Sequence, residues 1–109
     1  ICGNTRAILG NMGRLKCDIV DLDFLAPLEE GRKEMGPDQV ILGNIDPVRV
    51  MRDGDVNLVR STVAECHRQA GERYIVGAGC EIPRDAPEEN IRALHEYAAN
   101  HRPDSPGAP

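Results

Sequence analysis

Apolar and polar residues alternate over short stretches of this chain, and between those stretches apolar residues recur every three to four positions. Cys17 to Asp23, CDIVDLD, alternates and is predicted to be a strand. Gln39 to Asn44, QVILGN, is an unbroken apolar run of the kind buried parallel strands carry. Tyr74 to Ala78 is a third strand, and Ile1-Cys2-Gly3 reads as the stump of one that precedes them all. The helical spacing falls between. Thr5 to about Met12 is predicted helical, with Asn4 or Thr5 as cap, Ala7, Ile8, Met12 and Leu15 near helical spacing, and Gly13 as the stop. Leu28 to Met35 is a short helix closed by Gly36 and Pro37. Asp55 caps a long helix whose stripe is Val56, Val59, Val63, Cys66 and Ala70, ending at Gly71. Pro87 opens a last helix, with Glu88 and Glu89 suited to its dipole and Ile91, Leu94 and Ala98 as its apolar face. From Arg102 the tail RPDSPGAP cannot continue a helix. The chain therefore divides into one domain over residues 1–101 and an extended tail or linker over residues 102–109.

Four strands, each followed by a helix, imply an α/β fold with a parallel sheet and right-handed crossovers. An open four-stranded sheet and half of an eight-fold barrel both satisfy the pattern. In either, functional residues gather at the carboxyl ends of the strands. Cys2, Asp23, Asn44 with Asp46, and Cys80 with Glu81 each stand at such an end. Period-two alternation puts Ile19, Asp21 and Asp23 on one face of their strand, with Val20 and Leu22 on the face the helices cover. The same count groups Val40, Leu42 and Asn44, and Val76, Ala78 and Cys80, so that thiol and carboxylate converge. One stretch, YIVGAGCEIP, strips side chains from the backbone just before it delivers Cys80. A core cysteine needs no such approach, whereas a ligand does.

Composition narrows the class. A chain of 109 residues holds one small domain, and 40% hydrophobic with 28% charged residues is an ordinary globular balance. A net charge of -5 without a basic run argues against nucleic acid as a partner. No apolar stretch approaches the roughly 18 residues of a membrane span, and no leader is evident. The opening on Ile1 without a methionine looks like a cut inside a longer protein. The four cysteines are widely spaced, with no CxxC pair. In a secreted domain they would suggest two disulfides, but the strand-helix alternation points to a cytoplasmic chain with reduced thiols.

Three segments carry a resemblance: ICGNT at Ile1 to Thr5, GNIDPV at Gly43 to Val48, and GAGCEIPRDAPEENIRAL at Gly77 to Leu94. With the spacing between them, the chain up to about His101 resembles the C-terminal part of the uroporphyrinogen decarboxylase superfamily. The resemblance implies a TIM-type (βα)8 barrel, of which this chain is the C-terminal half, (βα)4. Within the superfamily the decarboxylases carry histidine where Cys80 stands. The corrinoid-dependent methyltransferases, methylcobalamin:coenzyme M methyltransferase among them, carry cysteine there and a His-x-Cys pair whose cysteine matches Cys2. The histidine of that pair falls two positions before Cys2, upstream of Ile1.

That branch implies zinc held by Cys2, Cys80 and the upstream histidine, since two thiolates and an imidazole suit a tetrahedral site with one open position. A thiol substrate bound there as thiolate becomes nucleophilic at neutral pH. The expected reaction moves a methyl group from a methylcorrinoid, on a corrinoid protein or cobalamin, to a small thiol or other methyl acceptor. Gly77 and Gly79 then let substrate or a neighbouring helix approach Cys80. The alternatives are a uroporphyrinogen decarboxylase, a lyase of porphyrin biosynthesis, and a non-catalytic fragment or assembly module.

Asp23 reads equally as a fourth, weak oxygen ligand or substrate contact and as a capping or loop acid. Asp21 is expected to pair with a buried cation of the barrel. Asn44 and Asp46 shape their loop and line the pocket, and Glu81 orients Cys80 or substrate. Cys17 and Cys66 are expected in the core. His67, His95 and His101 lie on helices, as surface or packing residues. The isolated chain is expected to be inactive, to bind zinc poorly and to self-associate, because a half barrel has two open edges and a wet inner face.

Overall fold

Val20 and Leu22 are buried while Ile19 and Asp21, which alternate with them, are exposed. Helices therefore cover one face of the sheet only. The computed structural model describes residues 1–101, so the tail predicted over residues 102–109 lies outside the described residues. A short 3-10 turn, Arg6–Ile8, leads into α1 (Leu9–Arg14), followed by β1 (Ile19–Leu22), α2 (Leu28–Met35), β2 (Val40–Gly43), a π-helical turn (Pro47–Arg52), α3 (Val56–Ala70), β3 (Tyr74–Ile75) and α4 (Glu88–Asn100).

The three strands lie in chain order, β1-β2-β3, and both pairs are parallel. Ile19 pairs with Val40, Asp21 with Leu42, and Leu42 with Ile75. The helices form a row, α1 on α2, α2 on α3 and α3 on α4. Two layers result, and the molecule measures 39 × 37 × 18 Å. A doubly wound sheet would carry helices on both faces and reverse its strand order. Sequential order with helices on one side is a slice of a barrel wall.

The core lies between the layers. Leu22, Ile41, Ile45, Met51, Val59 and Val63 are buried to 1% exposure or less. In α3 the predicted stripe is borne out at Val59, Val63, Cys66 and Ala70, with the Asp55 carboxylate accepting from the Leu58 N–H at 2.8 Å. At the amino ends of the strands, Arg32 of α2 donates to four backbone carbonyls: Ala70 at 2.7 Å, Gly36 at 2.9 Å, Gln39 at 2.7 Å and Arg73 at 2.8 Å. One guanidinium thereby ties the ends of α2 and α3 to the starts of β2 and β3. Asn90 of α4, fully buried, donates to the Met51 and Gly54 carbonyls at 3.0 and 2.8 Å and holds the π-helical turn in place.

Several expectations are corrected. Ile1 to Gly3 forms no strand: Gly3 turns with φ +96°, and the segment touches the sheet through the Ile1 amino group, which donates to the Asp21 carbonyl at 2.9 Å. β1 begins at Ile19, leaving Cys17 in the preceding turn and exposed rather than in the core. The first helix buries Leu9 and Met12, whereas Ile8 and Leu15 are 43% and 71% exposed. The last helix turns Asn90, Ala93 and Leu94 inward and leaves Ile91 and Ala98 exposed. Val76 and Ala78 do not share the open face with Leu42. The register puts Ile75 beside Leu42, while Ala78 is buried and Val76 packs on the core.

Candidate metal centre

Cys2 and Cys80 are 78 residues apart in sequence, yet their Cα atoms are 5.7 Å apart and their sulfurs are joined in a disulfide. The expectation of four reduced thiols is thus corrected for this pair and holds for Cys17 and Cys66. The physical reason is the convergence of two chain segments on one end of the sheet. Both cysteines are exposed at its carboxyl rim.

Each is positioned through its neighbour. The Gly3 N–H, one residue past Cys2, donates to Asp23 Oδ2 at 2.6 Å. The other carboxylate oxygen of Asp23 accepts from the Phe24 N–H at 2.7 Å. On the second segment, Ile45 pairs with Ala78, and the Gly79 N–H donates to the Ile45 carbonyl at 2.8 Å. A Cβ on Gly79 would collide with the Phe24 backbone nitrogen and lie 3.0 Å from Asp23 Oδ1. Cys80 follows with φ +58°, a left-handed conformation that few non-glycine residues adopt. Asp23, only 5% exposed, therefore touches the neighbours of both cysteines. Gly79 is small for a reason other than the one expected. What approaches it is the Asp23–Phe24 backbone. Gly77 is likewise filled from outside, since a Cβ there would meet Leu42 Cδ1 at 2.8 Å.

Asn44 is buried and bridges neighbouring loops, its amide donating to the Asp23 and Ala26 carbonyls at 3.1 and 2.5 Å. Its oxygen faces the Cys66 thiol at 3.8 Å. Asp46 caps the π-helical turn, with Oδ1 accepting from the Val48 and Arg49 N–H groups at 3.0 Å each. Both residues line a cavity of about 420 Å³ bounded by Ser61, Thr62 and Cys66 of α3, but neither Cys2 nor Cys80 borders it. Glu81 is exposed beside Cys80. Asp21 stands exposed on the open sheet face, with no ion pair among the described residues. Burial pushes the Cys66 thiol up from its ordinary value, which marks an inert core cysteine. His67 and His101 both bond Tyr97, through its hydroxyl at 2.9 Å and its carbonyl at 2.8 Å, and belong to the packing around α4.

The donors fit zinc in kind and fall short in number. Two exposed sulfurs within reach of each other make a soft bidentate pair, while the Asp23 oxygens are occupied by backbone N–H groups. Among the described residues no cluster of three or more His, Cys, Asp or Glu side chains is present. No helix among them is long and apolar enough to cross a membrane. Of the two readings of Asp23, its hydrogen bonds to Gly3 and Phe24 are those of a loop acid, and what the sequence did not show is that it ties the Cys2 segment to the end of β1. The acid at the end of β1, just ahead of the turn closed by Ala26 N–H on the Asp23 carbonyl (3.1 Å), was the available signal.

Comparison with known proteins places these features in a family. The family model described as uroporphyrinogen decarboxylase (URO-D) matches residues 1–101. A uroporphyrinogen decarboxylase of Microcystis aeruginosa is 30% identical over 92 residues, covering 84% of this chain and 26% of the relative. One of Gloeobacter violaceus is 29% identical over 101 residues, covering 92% and 28%. The chloroplastic uroporphyrinogen decarboxylase 2 of Arabidopsis thaliana is 30% identical over 96 residues, covering 87% and 24%. Among solved structures, a methyltransferase from Methanosarcina mazei superposes with a TM-score of 0.75 at 22% identity, covering 92% of this chain and 29% of that one. The fold is α/β, a partial barrel wall of three parallel strands with their helices on one side. The chain spans about a quarter of the length of the curated relatives it matches.

Proposed function

This chain belongs to the uroporphyrinogen decarboxylase family, and from that premise we propose that it is the metal-bearing half of a zinc-dependent methyltransferase. The observation that carries the reading is the meeting of Cys2 and Cys80 at the carboxyl rim. In the reduced protein these two thiolates, with a histidine two positions before Cys2, would hold zinc and leave one position for substrate. Bound zinc lowers the pKa of a coordinated thiol and so supplies a nucleophile at neutral pH. Asp23 sets Cys2 through Gly3, and the Ile45–Ala78 bridge sets Cys80. The acceptor thiol then takes the methyl group of a methylcorrinoid presented from solution or by a corrinoid protein.

A second reading, a uroporphyrinogen decarboxylase, is favoured by the names of the curated relatives. The cysteine at position 80, where the decarboxylases carry histidine, weighs against it. A third, a non-catalytic fragment or assembly module, remains for the chain on its own, with two donors where a tetrahedral zinc site needs three or four.

The experiment is a metal and turnover comparison on the intact protein and its Cys80→Ser variant. Reduced wild type should carry one zinc and demethylate methylcobalamin when given a thiol, and the variant should lose both. Undiminished zinc in the variant, or release of carbon dioxide from uroporphyrinogen by the wild type, would overturn the reading.

A further inference from the structure

We propose that the cavity beside Asn44 and Asp46 binds a small primary amine, as the ammonium ion, carried on an apolar body. The site is separate from the cysteine rim, and the inference does not depend on a metal.

Asn44 and Asp46 stand out in the sequence at the end of a strand, yet the cavity of about 420 Å³ that they line is bordered by neither cysteine of the rim. That volume is within the range of small-ligand pockets. Its walls come from the turn after β1, the turn after β2 and the length of α3. β2 is the central strand of the three, so the site is built within the wall rather than at an open edge. The floor is apolar. Ile45, Val50 and Cys66 are buried there, and Phe24 lines the same cavity.

Charge decides the class of ligand. No lysine, arginine or histidine lines the cavity, whereas two carboxylates do. Glu65 is already paired, accepting from the Arg68 guanidinium at 2.5 Å and from the Gln69 amide at 2.9 Å. Asp46 has no such partner. Its Oδ1 takes both the Val48 and the Arg49 N–H groups, and its Oδ2 has no hydrogen bond among the described residues. The residue is half-buried, so a cation from outside would meet a carboxylate that water only partly covers. The Ser61 hydroxyl donates to the Leu58 carbonyl at 3.1 Å, which leaves its oxygen free to accept, and Thr62 adds a second hydroxyl.

An ammonium group carries three donors and no acceptor. A carboxylate oxygen with two hydroxyl oxygens near it suits that group. An anionic ligand would meet like charge and find no cation to bind. An inorganic cation would leave the floor of Phe24, Ile45 and Val50 uncovered, while a hydrocarbon or aromatic body attached to the amine covers it.

The test is a calorimetric titration of the intact protein at neutral pH with 2-phenylethylammonium. Its uncharged and anionic counterparts, 2-phenylethanol and phenylacetate, are titrated alongside. One saturable site is expected for the ammonium, with the alcohol about ten-fold weaker or more and no binding of the acetate. Asp46→Asn keeps an acceptor for the two N–H groups of the turn and removes the charge. It should weaken the ammonium about ten-fold with little change in melting temperature. Thr62→Phe should fill the cavity and abolish binding of both the ammonium and the alcohol. Asp53→Asn, whose carboxylate pairs with Arg52 outside the cavity, should bind like wild type. Equal affinity for ammonium and alcohol would overturn the proposal, as would no saturable binding at millimolar probe or undiminished binding by Asp46→Asn. A Thr62→Phe variant that melts like wild type and still binds would place the probe elsewhere and overturn it too. If that variant does not fold, Asp46→Asn decides.

Discussion

Asp23 accepts a 2.6 Å hydrogen bond from the backbone of Gly3, and that contact fixes the first of two cysteines that meet across 78 residues. The carboxylate is 5% exposed and also accepts from Phe24. Replacing Asp23 with Ala leaves two N–H groups unpaired, at about 1–3 kcal/mol for each that stays buried. Urea unfolding of Asp23→Ala should show that loss. In a glutathione redox buffer the variant should also form the Cys2–Cys80 bond less readily than wild type. Asp23→Asn, which keeps one acceptor oxygen, should fall between. An Asp23→Ala variant that pairs its cysteines as readily as wild type would remove the carboxylate from the positioning role.

Gly79→Ala should destabilise the cysteine rim. Its Cβ has no room against the Phe24 backbone, which cannot rotate away as a side chain does. About 1–3 kcal/mol of overpacking strain is expected. Gly3→Ala provides the contrast. Nothing lies within 4 Å of the added carbon, and only φ +96° opposes it, a cost of about 1–2 kcal/mol. Thermal melts of the two variants should rank Gly79→Ala below Gly3→Ala.

Much of this was legible in the chain. The alternation of Ile19 to Leu22 and the apolar run Val40 to Gly43 announced two parallel strands, and Leu28 to Met35 was found at its true bounds. Local pattern sufficed because each element buries one regular face. The last strand misled the count. Its pairing stops at Ile75 and resumes only at Ala78, so period-two reasoning carried through Gly77 put Val76 and Ala78 on the wrong side. At the rim the sequence showed which residues end strands. It did not show that the Asp23 oxygens are taken by Gly3 and Phe24, because that depends on segments 20 residues apart meeting.

Alkaline pH should unfold the protein through Cys66 and Tyr74. Burial raises both above their ordinary values. In the unfolded chain these groups lose protons near pH 9 and 10 while the folded protein still holds them. The unfolded state then binds fewer protons, so stability is complete below about pH 9 and falls as pH rises further. Circular dichroism should show the loss, with phenolate absorbance from Tyr74 appearing together with unfolding. Tyr74→Phe should move the alkaline midpoint upward. An unchanged midpoint would assign the transition to another group.

The isolated chain should self-associate. Ile19 and Ile75 on the open sheet face are 52% and 41% exposed, and Phe24 and Leu25, past the carboxyl end of β1, are 41% and 49% exposed. At about 25 cal/mol per Å² of apolar surface, covering several such side chains is worth several kcal/mol. A second copy added edge to edge would cover them and pair the open strand edges. Light scattering over a dilution series should show a dimer or larger species at micromolar concentration, and Ile19→Lys should shift the balance toward monomer. A stable wild-type monomer would rule this out.

Because Cys2 stands at the start of the barrel segment and Cys80 beyond its last strand, the pair cannot exist on a partly made chain. At about 5–20 residues per second, roughly 4 to 16 s of synthesis separate the two thiols. The first waits alone while β1, β2 and β3 are made, and only a finished wall brings the second beside it. Formation of the pair therefore requires that every element between the two cysteines has been translated.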